Sequence, residues 1–76
     1  MTLAQHDKLK LAQDNRCAIC LRSFDSKRAA VDHDHHTGAI RGLLCVACNV
    51  ALGCLGDSVE TMQRAIAYLQ RNVSNN

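Results

Sequence analysis

The chain has 76 residues and a mass of 8.3 kDa, so one domain over residues 1–76 is expected, and a chain this short buries only about 60–65% of its unfolded surface on folding. Hydrophobic residues make up 47% of it, yet Phe24 and Tyr68 are the only aromatic ones, so large core side chains are scarce and a staple is needed. The formal charge of +2 does not argue for nucleic acid, because four thiolates on one zinc ion would add about −2, and no stretch approaches the roughly eighteen apolar residues of a membrane span.

The N-terminal stretch MTLAQHDKLKLAQDN contains no apolar run of signal-peptide length, which points to a reducing cytoplasm and favours metal-bound thiolates over disulfides. Thr2 with Gln5 three residues on resembles a capping box. Leu3, Leu9, Leu11 and Ala12 fit a short amphipathic helix reaching about Asp14. Cys17-Ala-Ile-Cys20 follows, and then a polar loop, Ser23 to Arg28, that no periodic pattern claims. Ala29 to Asp34 and Ala39 to Leu44 flank His-His-Thr-Gly, in which Gly38 can supply a positive φ; this predicts a β-hairpin. A short helix is expected from about Val46 to Leu52, with Gly53 as its stop. The last helix is predicted from an Asp57/Glu60 capping pair and from Val59, Met62, Ile66, Leu69 and Val73 at helical spacing, a stripe expected to be core. A free tail is expected from near Ser74.

Cys17-x-x-Cys20 and Cys45-x-x-Cys48 form two knuckles separated by twenty-four residues, slightly more than the usual gap in four-cysteine zinc sites but compatible with an intervening hairpin, and two such pairs can close a tetrahedron around zinc. Such a site does no chemistry; it contributes folding energy. Cys54 is left over and is read as a small buried hydrophobe. With sulfur committed to zinc, Asp32, His33, Asp34, His35, His36 and Asn49 remain. Their oxygen donors suit a hard ion such as magnesium or manganese. Asp32 and the Asn49 amide oxygen would suffice, leaving positions for water and a phosphodiester, and His33 could serve as general base because an imidazole ordinarily titrates near neutral pH. Neighbouring residues on a regular strand point to opposite faces, so Asp32 and His33 can share a site only where the strand ends, twists or bulges. Each residue also has a plainer reading: Asp34 as a turn former, Asn49 as a helix-start residue, and any of the histidines, His36 included, as a surface group. Seven of the nine basic residues (Lys8, Lys10, Arg16, Arg22, Lys27, Arg28 and Arg41) precede residue 42, which fits a solvated basic face as well as a phosphate-contacting one.

The run Cys-x-x-Cys, V-D-H-D-H, T-G-x-x-R-G-L-L-C-x-x-C-N and A-L-G, from about Asn15 to Gly53, resembles the recombination endonuclease VII family, within the HNH or His-Me finger nucleases. The resemblance implies an α+β fold: a small zinc-stapled ββα-metal domain with flanking N- and C-terminal helices. It also implies structural zinc on Cys17, Cys20, Cys45 and Cys48, a catalytic divalent ion on Asp32 and Asn49, His33 as general base and His35 near the scissile phosphate. Arg41, in the shared R-G-L-L segment, is assigned to phosphate or hairpin support. The implied reaction is DNA hydrolysis leaving a 5′-phosphate and a 3′-hydroxyl, in a host-cell cytoplasm if the chain is phage-encoded. The exposed face of the last helix could pair with a second copy to form a homodimer. The alternative is a non-catalytic zinc-stabilised module that binds nucleic acid or protein. That reading leaves Asp32, His33 and Asn49 without a task.

Overall fold

A computed structural model of the protein describes residues 1–25 and 27–71. The element order is α1 (Leu3–Ala12), β1 (Ala29–His33), β2 (Ile40–Cys45), α2 (Val46–Cys54) and α3 (Val59–Arg71), an α+β arrangement in which β1, β2 and α2 make the expected ββα unit. The capping box at α1 forms as read: Gln5 N–H donates to Thr2 Oγ1 at 3.1 Å, and Thr2 N–H donates to Gln5 Oε1 at 2.8 Å. Of the apolar residues expected to line α1, Leu9 packs on the core, whereas Leu3 and Leu11 are exposed.

β1 and β2 pair antiparallel, from Ala29 opposite Cys45 to Asp32 opposite Gly42. At the tip, the Asp34 carboxylate accepts from the N–H groups of His36 (2.8 Å) and Thr37 (3.0 Å), and Gly38 takes φ +76°. An aspartate-headed turn of this kind satisfies amides that no ladder reaches. β2 runs directly into α2, and α2 packs against both strands. α1 reaches β2 chiefly through Gln13, which follows it. The Gln13 amide donates to Leu43 O and accepts from Leu43 N–H, at 2.9 and 2.8 Å.

The core is small and sits between the two knuckles. Cys17, Phe24, Leu43 and Leu44 are buried, with Leu9, Val31 and Leu52 packed around them. Phe24 thus belongs to the core although its loop reads as polar: the backbone bond from Phe24 N–H to Asn15 O and the Arg16–Ser23 bridge fold that loop over the first knuckle.

Four expectations are corrected. Gly53 does not stop α2, which continues through Cys54. The turn is made instead by the positive φ of Gly56 (+73°) and Asp57 (+54°), with Asp57 N–H returning to Leu52 O. The cap of α3 is Ser58, whose hydroxyl accepts from Thr61 N–H at 3.2 Å, because the Asp57 carboxylate is engaged by Arg41. The α3 stripe is not core, since Val59, Ile66 and Leu69 are 55–74% exposed. Amphipathic spacing says which face of a helix is apolar, but not whether the same chain supplies something to cover it. Cys54 is exposed too, not buried. Val73 and the tail from Ser74 lie outside the described residues.

Candidate functional site

The two knuckles meet. The ligand atoms of Cys17, Cys20, Cys45 and Cys48 all lie within 4.8 Å of one another, and Cys20 Sγ is 3.8 Å from Cys45 Sγ. A tetrahedron with Zn–S bonds of about 2.3 Å has edges of roughly 3.8 Å, so the sulfurs are spaced for a shared ion and far beyond disulfide length. All are free thiols, and the donor set fits zinc. Burial pushes the Cys17 thiol up, but N–H groups of Cys45, Cys20 and Ile19 aimed at its sulfur overcome this and bring it down to about 6. Cys48, raised by burial and then by the neighbouring sulfurs, is pushed up to about 12. Negative charge thus accumulates first on Cys17 and is resisted at Cys48. A bound cation reverses that resistance by making every sulfur a thiolate.

Further along the hairpin, the pairing slips between Asp32 and His33: Asp32 faces Gly42, but His33 faces Ile40, leaving Arg41 as the extra residue of β2. A bulge redirects the side chains on either side of it. Asp32 is buried, 8% exposed, and meets Arg41 through two bonds, Nε to Oδ2 at 2.6 Å and Nη2 to Oδ1 at 3.0 Å. Arg41 also donates to both oxygens of Asp57, at 2.8 and 3.3 Å. Four of its five N–H groups are thereby engaged. The bonds to Asp32, and then those to Asp57, raise the guanidinium above its ordinary pKa, and the same contact with Arg41 lowers that of Asp57.

His33, just past the bulge, is exposed and its ring makes no hydrogen bond or ion pair among the described residues. His35 Nδ1 lies 3.9 Å from Asp57, and His36 Nδ1 3.9 Å from Asp34. Asn49 is half-buried on α2 with its side-chain amide unbonded among the described residues. Leu52 lines an open cleft of about 290 Å³ together with Asp32, Arg41, Asp57 and Met62; Asn49, one turn earlier on α2, is not among its lining residues, nor are His33 and His35. Apart from the four cysteines, no group of three or more His, Cys, Asp or Glu side chains is placed to hold a metal among the described residues. Oxygen sites for magnesium need only one or two protein ligands. A carboxylate has about four lone-pair positions, so the two bonds from Arg41 leave Asp32 donor capacity, and the chemistry of Asp32 with Asn49 suits a hard ion.

Two residues of this region escaped the sequence reading. Asp57 reads as a helix cap, and only the bulge that turns Arg41 toward it reveals its role. Gln13 has no motif at all; its contact with Leu43 spans thirty positions.

Among curated proteins, the gene 59 protein of Mycobacterium phage D29 is 52% identical over 61 residues, covering 78% of this chain and 37% of the relative. The gene 59 protein of Mycobacterium phage L5 is 52% identical over 59 residues, covering 75% of this chain and 36% of the relative. The chain thus spans little more than a third of the length of these relatives. No solved structure matches it. The family model for recombination endonuclease VII matches residues 1–71, and the chain belongs to the recombination endonuclease VII family.

Proposed function

We propose that this protein is a metal-dependent DNA endonuclease of the HNH, or His-Me finger, type that hydrolyses or nicks the phosphodiester backbone, leaving a 5′-phosphate and a 3′-hydroxyl. The observation that carries the reading is the register shift between Asp32 and His33, the break in strand alternation that two adjacent residues need in order to serve one site. Asp32 and Asn49 would hold a magnesium or manganese ion. When bound, that ion supplies charge neutralisation at the phosphate and the departing oxygen. His33 accepts a proton from a water whose oxygen attacks phosphorus, the bond from phosphorus to the 3′-oxygen breaks with its electron pair on that oxygen, and solvent water gives that oxygen the proton of the 3′-hydroxyl. The zinc cluster holds the end of β2 against the start of α2 and so fixes Asn49 relative to the hairpin.

A second reading, a non-catalytic zinc-stabilised binding module, draws on the engagement of both Asp32 oxygens by Arg41. Supercoiled plasmid incubated with the zinc-loaded protein and magnesium or manganese separates the two. Nicked or linear product that is lost in Asp32→Ala supports the enzyme; unchanged plasmid under both metals, on duplex and branched DNA alike, leaves the binding module.

A further inference from the structure

At the opposite end of the hairpin from His33, a second cleft of about 420 Å³ opens between the loop after the first knuckle and the start of α2. Arg22, Lys27 and Arg28 line it, together with the buried Phe24, the knuckle residue Cys45, and Val46 and Ala47 of the first helical turn. All three cations are exposed, and none makes an ion pair or side-chain hydrogen bond among the described residues. The one carboxylate of that loop, Asp25, accepts from the Ser23 hydroxyl and does not line the cleft. Like charges crowded around one concavity repel each other, an arrangement that is relieved by an anion seated among them. Of the first-turn amides of α2, Cys48 N–H is taken by Cys45 Sγ, and those of Val46 and Ala47, which lack intrahelical partners, add to the same preference.

We propose that this cleft is a seat for backbone phosphates of duplex DNA, separate from the Asp32–His33 centre; the proposal rests on the endonuclease reading given above. Arg28 adjoins Ala29, which pairs with Cys45 at one end of the hairpin, and His33 lies four residues further along β1. At about 3.3 Å per residue this is roughly 13 Å, close to four nucleotides of rise along one strand. DNA lying along the hairpin therefore meets the cleft and the reacting centre at different phosphates. Contacts to phosphate position the duplex without reading its sequence, so the cleft contributes affinity and register, not base preference.

The test is fluorescence anisotropy with a fluorescein-labelled duplex across a salt series, comparing the wild-type protein with an Arg22→Gln/Lys27→Gln/Arg28→Gln variant, zinc content and circular dichroism being checked for both. The variant is expected to bind more weakly, and its dependence of log K on log salt to be shallower by about 2–3, at about 0.9 per lost phosphate contact. Each single variant, altering an exposed side chain that is unbonded among the described residues, is expected to change the slope by about 0.9, which keeps the test decisive should the triple variant fold poorly. An unchanged slope overturns the proposal while wild-type cleavage of plasmid leaves the endonuclease reading standing. Loss of zinc with an unchanged slope also overturns it, because the cations then serve only to offset thiolate charge. So does an equal change in a charge-matched Lys8→Gln/Lys10→Gln/Arg64→Gln control, which would make net charge responsible. A wild-type protein that neither binds nor cuts DNA removes the endonuclease reading itself, and this site with it.

Discussion

Arg41 and Asp32 are joined edge to edge by two hydrogen bonds across the hairpin bulge, and the same guanidinium carries Asp57 on its other edge, so one side chain ties β1, β2 and the approach to α3 together. Replacing Arg41 by methionine strands the buried Asp32 carboxylate. The variant is expected to be less stable than the wild type, but by less than breaking a fully buried pair would cost, because Arg41 is over a third exposed. Urea denaturation of the zinc-loaded protein measures it. A variant as stable as the wild type would show that solvent takes over the role of the guanidinium.

The contribution of Asp57 to stability has a defined pH window. The hydrogen bonds from Arg41 hold its carboxyl below the ordinary value of 3.8, so the contribution is complete above that value and is lost as pH falls through the lower, folded-state pKa. Measured in a His35→Gln background, because His35 lies 3.9 Å from Asp57, the difference in stability that Asp57→Asn makes is therefore expected to stay constant from pH 7 to pH 5. A difference that has already vanished at pH 5 contradicts the assignment of the Arg41 contact as its cause.

Zinc is expected to be a condition of folding. Apparent zinc affinities in small four-ligand domains correspond to about 10–16 kcal/mol, and the four core residues buried among the described residues, one of them a ligand, offer little to replace that. Strong chelators should abolish the helical circular dichroism signal, as should Cys17→Ser. Cys54→Ser should leave both zinc stoichiometry and the signal unchanged, since Cys54 is exposed and outside the cluster.

Gln13 and Gly42 should behave as a coupled pair. Gln13→Ala leaves the Leu43 N–H without its partner, whereas Leu43 O keeps the bond from Ala18 N–H at 3.2 Å; the expected cost is about 1–3 kcal/mol. A Cβ on Gly42 would sit 3.0 Å from Gln13 Oε1, so Gly42→Ala should be costly in the wild type and less so in the Gln13→Ala background. Strict additivity in a double-mutant cycle would show that the side chain moves aside freely.

Under the endonuclease reading, His33→Ala should lower the cleavage rate by about 100- to 10,000-fold, the usual span for loss of a general base. Because the ring is exposed and unbonded among the described residues, the melting temperature should stay near that of the wild type. Wild-type plasmid nicking by this variant would remove His33 from the reaction.

The sequence alone determined the zinc cluster, the hairpin with its glycine-assisted tip, the capping box of α1 and the run of residues that resembles the family, because each depends on local spacing or on conformational preferences of single residues. Ligand pairs two residues apart and a Thr-x-x-Gln cap carry their geometry with them wherever the chain goes. Only the tertiary structure decided that Asp57 pairs with Arg41 instead of capping α3, that Phe24 in a polar loop completes the core, that Gln13 clamps β2, and that the apolar stripe of α3 is left uncovered. Each of these turns on what a distant segment brings to the same place. The bulge lies between the two: the need for a break in alternation could be read from adjacent Asp32 and His33, but its position, which makes Arg41 the extra residue, is set by how β2 registers against β1.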